Sequence, residues 1–294
     1  MEYRKLPVKQ FAAKQDDTSY WSQLRSPVII NEFALVSHVQ FAAGLLCVTS
    51  SARVQLYSTP SLALKKSIAR FKDTAYSGRI RSDAKLLIAG DNSGLVQIFE
   101  MGSRAILRQF KHHAPVHVTR FSKNHHHILS ASDDRTVKLW DLASETPLCS
   151  FEQHTDHVRT ATTCPDNPHL IVSGSYDHTI RLWDSRTSEC VRVLDHNHPV
   201  ESVLFLPGSS ILASSGGKYI KMWSVSGTSD KPIDQISPHQ KTITDMCIDS
   251  TGSWLVSASL DHQVKMISLE TYKVDHSIKF SGPVVSVAVS VQCI

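Results

Sequence analysis

Six short segments of the chain alternate apolar and polar positions with the two-residue period of a half-buried strand. They are Val54-Gln-Leu-Tyr57, Val96-Gln-Ile-Phe99, Val137-Lys-Leu-Trp140, Ile180-Arg-Leu-Trp183, Ile220-Lys-Met-Trp223 and Val264-Lys-Met-Ile267. Their last residues lie 42, 41, 43, 40 and 44 apart. Other features keep the same beat. A small-residue strand precedes each motif, as in Leu129-Ser-Ala-Ser132, Val172-Ser-Gly-Ser175 and Val256-Ser-Ala-Ser259. A tight turn joins the two: Asp134-Arg135, Asp177-His178 or Asp261-His262. Ahead of the units stand His112, His154, His196 and His239, each followed four places later by Val116, Val158, Val200 or Ile243. Four coincidences in one register mark an internal repeat of ~40–45 residues, the size of a small antiparallel sheet.

The runs Ser132-Asp-Asp-Arg-Thr-Val-Lys-Leu-Trp-Asp141 and Ser175-Tyr-Asp-His-Thr-Ile-Arg-Leu-Trp-Asp184 resemble the signature of the WD-repeat family. The resemblance covers 36–281 as six repeats, with 282–294 as the start of a truncated seventh. It implies an all-β, seven-bladed WD40 β-propeller whose seventh blade is incomplete in this chain. In a closed ring of that kind the N-terminal strand joins the last blade. Residues 1–35 are therefore expected to form an extension that includes a closing strand, Leu6-Pro-Val-Lys-Gln-Phe11.

In proteins of this family a histidine, a strand serine, a turn aspartate and a tryptophan form one hydrogen-bonded chain inside a blade. The chemistry is consistent: Asp accepts from one imidazole nitrogen, Ser bridges the other, and the indole N–H donates to Ser. His112, Ser130, Asp134 and Trp140 would complete one blade, and His154, Ser173, Asp177 and Trp183 the next. His239, Ser257 and Asp261 face Ile267 where Trp is expected. His196 and Trp223 have Ala213 and Gly217 in the Ser and Asp places, and the first two blades lack the set. Ser185, just past a strand, is expected at the surface.

Ser, His and Asp in one register could be mistaken for a hydrolase triad, but they recur in each repeat with a Trp and are expected between blades. Lys123-Asn-His-His-His127 reads as a solvated hairpin loop, because side chains of consecutive residues in a strand or turn alternate in direction. Ser214-Ser-Gly-Gly217 lacks the Lys-Ser/Thr of a phosphate loop. No cofactor, metal, small-molecule substrate or enzymatic activity is expected. No stretch approaches the ~18 apolar residues of a membrane span, so no membrane partner is expected either. The six cysteines have no C-x-x-C pair, which fits a reducing compartment.

Charge is unevenly distributed. Residues 1–123 hold 18 Lys and Arg against 8 Asp and Glu, whereas the rest of the chain is net acidic. The stretch 65–85 is the most basic, with Lys65, Lys66, Arg70 and Lys72 near Phe71 and Tyr76. Two readings stand: an RNA contact joining phosphate neutralisation to stacking, or the wet sides of strands with Phe71 and Tyr76 turned inward. Asp133, Tyr176 and Leu260, just before the turn Asp, should crown one face as partner contacts.

Phe71-Lys-Asp-Thr-Ala-Tyr76, Asp184-Ser-Arg-Thr-Ser-Glu189, Pro199-Val-Glu-Ser-Val-Leu-Phe-Leu-Pro207 and Ser215-Gly-Gly-Lys-Tyr-Ile-Lys-Met-Trp223 lie outside what the general motif dictates. They resemble a narrower family of nucleolar WD-repeat subunits of the small-subunit processome. That resemblance implies a scaffold of ribosome biogenesis in the nucleus and nucleolus, with other processome proteins and precursor ribosomal RNA as partners. It further implies a part in 18S rRNA processing and a link to rDNA transcription. Members of that family continue into a helical C-terminal domain, so the chain reads as a fragment or a shortened product. The alternative is a WD-repeat adaptor, a ubiquitin-ligase substrate receptor or a chromatin reader.

Overall fold

The computed structural model describes residues 28–32, 34–59, 61–103 and 105–290. The chain divides into two units, residues 1–31 and 32–294. Of the first, residues 28–31 are described; they are exposed and carry no regular structure. In the second, every regular element among the described residues is a strand.

The strands form six antiparallel sheets of four, each running in sequence order from first strand to fourth. Blade one is β1 (Val36–Ala42), β2 (Leu45–Ser50), β3 (Arg53–Ser58) and β4 (Leu64–Ile68). Blade two is β5 (Ala75–Ile80), β6 (Leu86–Asp91), β7 (Leu95–Glu100) and β8 (Ile106–Lys111). Blade three is β9 (Val116–Phe121), β10 (His127–Ser132), β11 (Val137–Asp141) and β12 (Pro147–Phe151). Blade four is β13 (Val158–Thr163), β14 (Leu170–Ser175), β15 (Thr179–Asp184) and β16 (Glu189–Asp195). Blade five is β17 (Val200–Phe205), β18 (Ile211–Gly216), β19 (Tyr219–Ser224) and β20 (Asp234–Ile236). Blade six is β21 (Ile243–Ile248), β22 (Trp254–Ser259), β23 (Gln263–Ser268) and β24 (Val274–Lys279).

The alternating motifs are the third strands, and their periodicity has a clear packing basis. The residue that ends each motif is buried, and from blade two onward it packs on the preceding blade. Phe99 joins Val54, Leu56 and Ile68 of blade one, Trp183 joins Leu129 and Phe151 of blade three, and Trp223 joins Val172 and Leu182 of blade four. Ring pairs mark the same seams, Phe110 on Trp140 and Phe151 on Trp183, each with centroids 4.9 Å apart. A fully buried aromatic side chain contributes ~2–3 kcal/mol by area, so these seams carry much of the cohesion between sheets. Small residues in the second strands permit the approach. A Cβ on Gly174 would lie 2.5 Å from Val200 Cγ1 of the next blade.

The expected seventh blade is not found. The described residues form six sheets, and 282–290 makes no strand. This segment is held by isolated bonds instead of a ladder, and Val284 N donates to the Ser259 carbonyl at 3.2 Å. Ser286 Oγ donates to Asp245 Oδ2 at 2.7 Å, and Val287 N donates to the same oxygen at 3.1 Å. Thr244 Oγ1 donates to the Val284 carbonyl at 2.7 Å, and Val39 N to Ser286 Oγ at 3.3 Å. The closing strand expected at 6–11 lies outside the described residues.

Candidate interaction face

Inside blades three and four the four-residue sets lie together. His112 Nδ1 is 2.9 Å from Asp134 Oδ2, its Nε2 is 2.7 Å from Ser130 Oγ, and Trp140 Nε1 donates to that hydroxyl at 2.8 Å. For His154 the distances are 2.7 Å to Asp177, 2.8 Å to Ser173 and 2.8 Å from Trp183 to Ser173. Each carboxylate also accepts from Thr136 or Thr179 at 2.6 Å and from the backbone N–H of His113 or Thr155. It thereby ties the hairpin to the loop entering the first strand of the same blade. Burial alone would raise the Asp134 and Asp177 carboxyls; the hydrogen bonds outweigh it and hold both well below the usual range. Both imidazoles are sealed from solvent, so no substrate reaches a nucleophile here.

Blade six keeps His239, Asp261 at 2.9 Å and Ser257 at 2.8 Å, without an indole. Blade five departs from the sequence reading. Trp223 Nε1 donates to Ser214 Oγ at 2.8 Å, so Ser214 and not Ala213 holds the serine place. Gly216 pairs directly with Tyr219, which leaves a two-residue hairpin, Gly217 at φ 55° and Lys218. That hairpin is one residue too short to carry the aspartate. Ser185 is half-buried, its carbonyl accepting from Cys149 Sγ at 3.0 Å, because the chain turns back toward blade three there.

The face of the molecule is built by a feature that period-two reading cannot locate. Register shifts in all six first strands skip the second residue, leaving Ser37, Tyr76, His117, Arg159, Glu201 and Thr244 outside the ladder. A bulge of this kind re-aims one side chain while the strand continues. Here four of the re-aimed side chains, Tyr76, His117, Arg159 and Glu201, meet the residues that precede the hairpins. His117 Nε2 is 3.0 Å from Asp133 Oδ2. Arg159 Nε lies 3.5 Å from Asp133 Oδ1, its Nη1 faces the His117 ring, and its guanidinium sits 5.0 Å over the Tyr176 ring. Tyr176 OH donates to Glu201 Oε1 at 2.8 Å. On the other side Tyr76 stacks on His117 at 4.2 Å, and its OH donates to Asn92 Oδ1 at 2.9 Å. Asn92 Nδ2 donates to Asp73 at 2.7 Å.

One polar and aromatic band therefore crosses blades two to five. Asp133 and Tyr176 lie within it, and Leu260 stands exposed at the equivalent place of blade six. His117, Arg159 and Glu201 were not singled out by sequence reading. The signal was there, because each directly follows the apolar residue four places after an anchor histidine.

The basic set is split. Lys65, Arg70 and Lys72 are exposed, whereas Lys66 Nζ donates to the carbonyls of Met101 and Gly102 on blade two. Phe71 is buried edge-on to Phe99 at 5.3 Å. In the histidine loop, His125 Nε2 lies 3.2 Å from Ser82 Oγ.

The sequence family described as WD domain, G-beta repeat matches residues 104–141, 145–184, 188–224 and 230–268. The chain belongs to the WD-repeat family. Among WD-repeat relatives, it is 41% identical over 278 residues to the U3 small nucleolar RNA-associated protein 15 homolog of Xenopus tropicalis, covering 93% of this chain and 54% of that protein. It is 41% identical over 295 residues to U3 small nucleolar RNA-associated protein 15 of Schizosaccharomyces pombe, covering 97% and 60%. Protein SLOW WALKER 1 of Arabidopsis thaliana is 34% identical over 294 residues, covering 97% and 55%. The chain thus spans a little over half the length of the curated relatives it matches.

Proposed function

We propose that the chain is a non-catalytic scaffold of ribosome biogenesis that works in the nucleolus. Its place is the small-subunit processome, in the processing of precursor 18S rRNA and with a link to rDNA transcription. The observation that carries this reading is identity near 40% across more than nine-tenths of the chain with proteins named for association with U3 small nucleolar RNA. The geometry supports a binding role over chemistry. The Ser–His–Asp sets are sealed between sheets, while the band through Tyr76, His117, Asp133, Arg159, Tyr176 and Glu201 offers fixed charges and rings on one face. Its members brace one another, so little side-chain freedom is lost on binding. Other processome proteins are the partners proposed for this face, and precursor ribosomal RNA reaches the assembly through them or through the basic blades.

The test is affinity capture of the tagged chain from eukaryotic nuclei, with RNA sequencing and protein identification. U3 small nucleolar RNA and precursor ribosomal RNA should be enriched, and Asp133→Ala with Tyr176→Ala should deplete the captured proteins. Capture of ubiquitin-ligase or chromatin subunits with no ribosomal precursor would overturn the reading.

A further inference from the structure

Two arginines stand at a first-strand position that holds Gln40, Thr162, Leu204 and Cys247 in the other blades. Arg79 and Arg120 occupy the fifth positions of β5 and β9, the first strands of adjacent blades. First strands of successive blades pack on one another around the ring, and Arg79 interacts electrostatically with Asp245 of blade six. The two guanidiniums also repel each other, and both act on His38 of blade one. These groups therefore share the axial space.

Both Nε atoms are buried without a hydrogen-bond partner among the described residues, and yet both side chains stay partly open to solvent. The other groups facing this space do not neutralise them. Asp245 is engaged by Ser286 Oγ, Val287 N and Met246 N at 2.7, 3.1 and 2.8 Å. Burial and the two cations push His38 well below its usual pKa, so it is neutral, and burial pushes the Cys47 thiol up to about 12. Burial and mutual repulsion bring Arg120 down to about 9, which leaves it cationic at neutral pH. Two cations thus face one occupied carboxylate.

A buried charge without a partner is costly unless something pairs with it. A guanidinium presents a planar fork of N–H donors that matches an oxyanion two bonds at a time. We propose that Arg79 and Arg120 form an anion site on the propeller axis, which takes a phosphate-type oxyanion. The ligand would bridge blades two and three from within and remove the repulsion between their first strands. The chemistry is that of a phosphate group, either as the free ion or as the terminal group of a nucleotide.

The test is titration of the purified chain with inorganic phosphate, followed by calorimetry and by thermal unfolding in a buffer free of oxyanions. Adenosine monophosphate serves as the second probe, with adenosine as its control. Wild type should take up one phosphate per chain saturably and melt higher with it. The double variant Arg79→Gln/Arg120→Gln should bind at least tenfold more weakly and show no such rise. The surface variant Lys241→Gln/Lys273→Gln, with the same loss of charge at exposed positions, should match wild type. Arg79→Lys/Arg120→Lys keeps the charge but not the fork and should fall between, which guards against a misfolded glutamine variant. Tighter binding of adenosine monophosphate than of phosphate would assign the site to a nucleotide, and the reverse to the free ion. No saturable uptake by wild type, or equal response in the axial and surface variants, would overturn the proposal.

Discussion

Lys221 Nζ donates to the backbone carbonyl of His196 at 2.8 Å, in the one blade whose anchor histidine has no carboxylate to meet. Lys221 is itself only 5% exposed, and burial lowers its pKa. Both ring nitrogens of His196 are buried without a partner of hydrogen-bond geometry, and burial takes the imidazole down to about 4. The same residue type at the same place in blade four is fully bonded.

Opposite outcomes should follow from one substitution. His154→Leu strands a buried Asp177 carboxylate and the Ser173 hydroxyl, a cost of ~1–3 kcal/mol. His196→Leu removes two unmatched polar atoms and should be neutral or stabilising. Thermal unfolding of the two variants checks this. An equal drop for both would mean that His196 is bonded in solution.

Asp177→Ala should be more damaging than a change on the adjacent surface. The carboxylate holds His154, Thr179 and the Thr155 N–H, so its loss should cost ~2–3 kcal/mol. Thr187→Ala, on an exposed turn, should stay within ~0.5 kcal/mol of neutral. Chemical denaturation of both variants decides it, and equal midpoints would count against the network as a stabilising element.

What the sequence disclosed and what it hid have physical reasons. The third strands were legible because, from blade two onward, each ends on a large apolar residue that packs on the preceding sheet, which enforces alternation. His112, His154 and His239 were legible because their partners recur at fixed offsets. Counting by those offsets failed at Ser214, where the hairpin loses a residue and shifts the serine by one. The two-residue period hid Ser37, Tyr76, His117, Arg159, Glu201 and Thr244, since a bulge leaves no mark in it, although the offset from the anchor histidines could have found His117, Arg159 and Glu201. The seventh blade was expected from the family resemblance, with 282–294 as its truncated start. A segment needs a neighbouring ladder to become a strand, and this backbone is held instead by isolated bonds to Thr244, Asp245 and the Ser259 carbonyl.

Acid should unfold the chain through its turn aspartates. The folded carboxyls of Asp134 and Asp177 lie below their unfolded values, and Asp261 is lowered too. Their contribution is therefore complete above the unfolded pKa of about 4 and is lost as pH falls through the folded values. Asp134→Asn/Asp177→Asn should be less stable at pH 7 and lose less between pH 7 and 3. Parallel stability curves for wild type and variant would contradict this.

Gly174→Ala should strain the seam between blades four and five. The added carbon meets Val200 Cγ1 at 2.5 Å and Thr160 Cγ2 at 2.8 Å, both on strands fixed by their own ladders. Overpacking of this kind costs ~1–3 kcal/mol. Val200→Ala in the same chain should restore part of the loss, which a double-mutant cycle in denaturant would measure. Additive effects would show that Val200 is not the obstacle.

RNA binding, if direct, should track the uneven charge. The excess of 18 Lys and Arg over 8 Asp and Glu lies in residues 1–123, and blades one and two, with the start of blade three, fall in that part of the chain. Lys65, Arg70 and Lys72 are exposed there, whereas Lys66 is committed to the Met101 and Gly102 carbonyls and belongs outside the tested set. Each phosphate contacted by a single strand adds about −0.7 to the log–log slope of affinity against salt. Lys65→Ala/Arg70→Ala/Lys72→Ala should therefore flatten that slope by up to about 2. The fair control is Lys231, Lys241 and Lys273, which are also exposed; Lys221 is buried, and its loss would damage the fold. Binding of a single-stranded RNA by wild type and both triple variants across a salt series separates the cases. If the two variants change alike, the basic blades are an ordinary solvated surface and the face through Asp133 and Tyr176 is left to hold the partners.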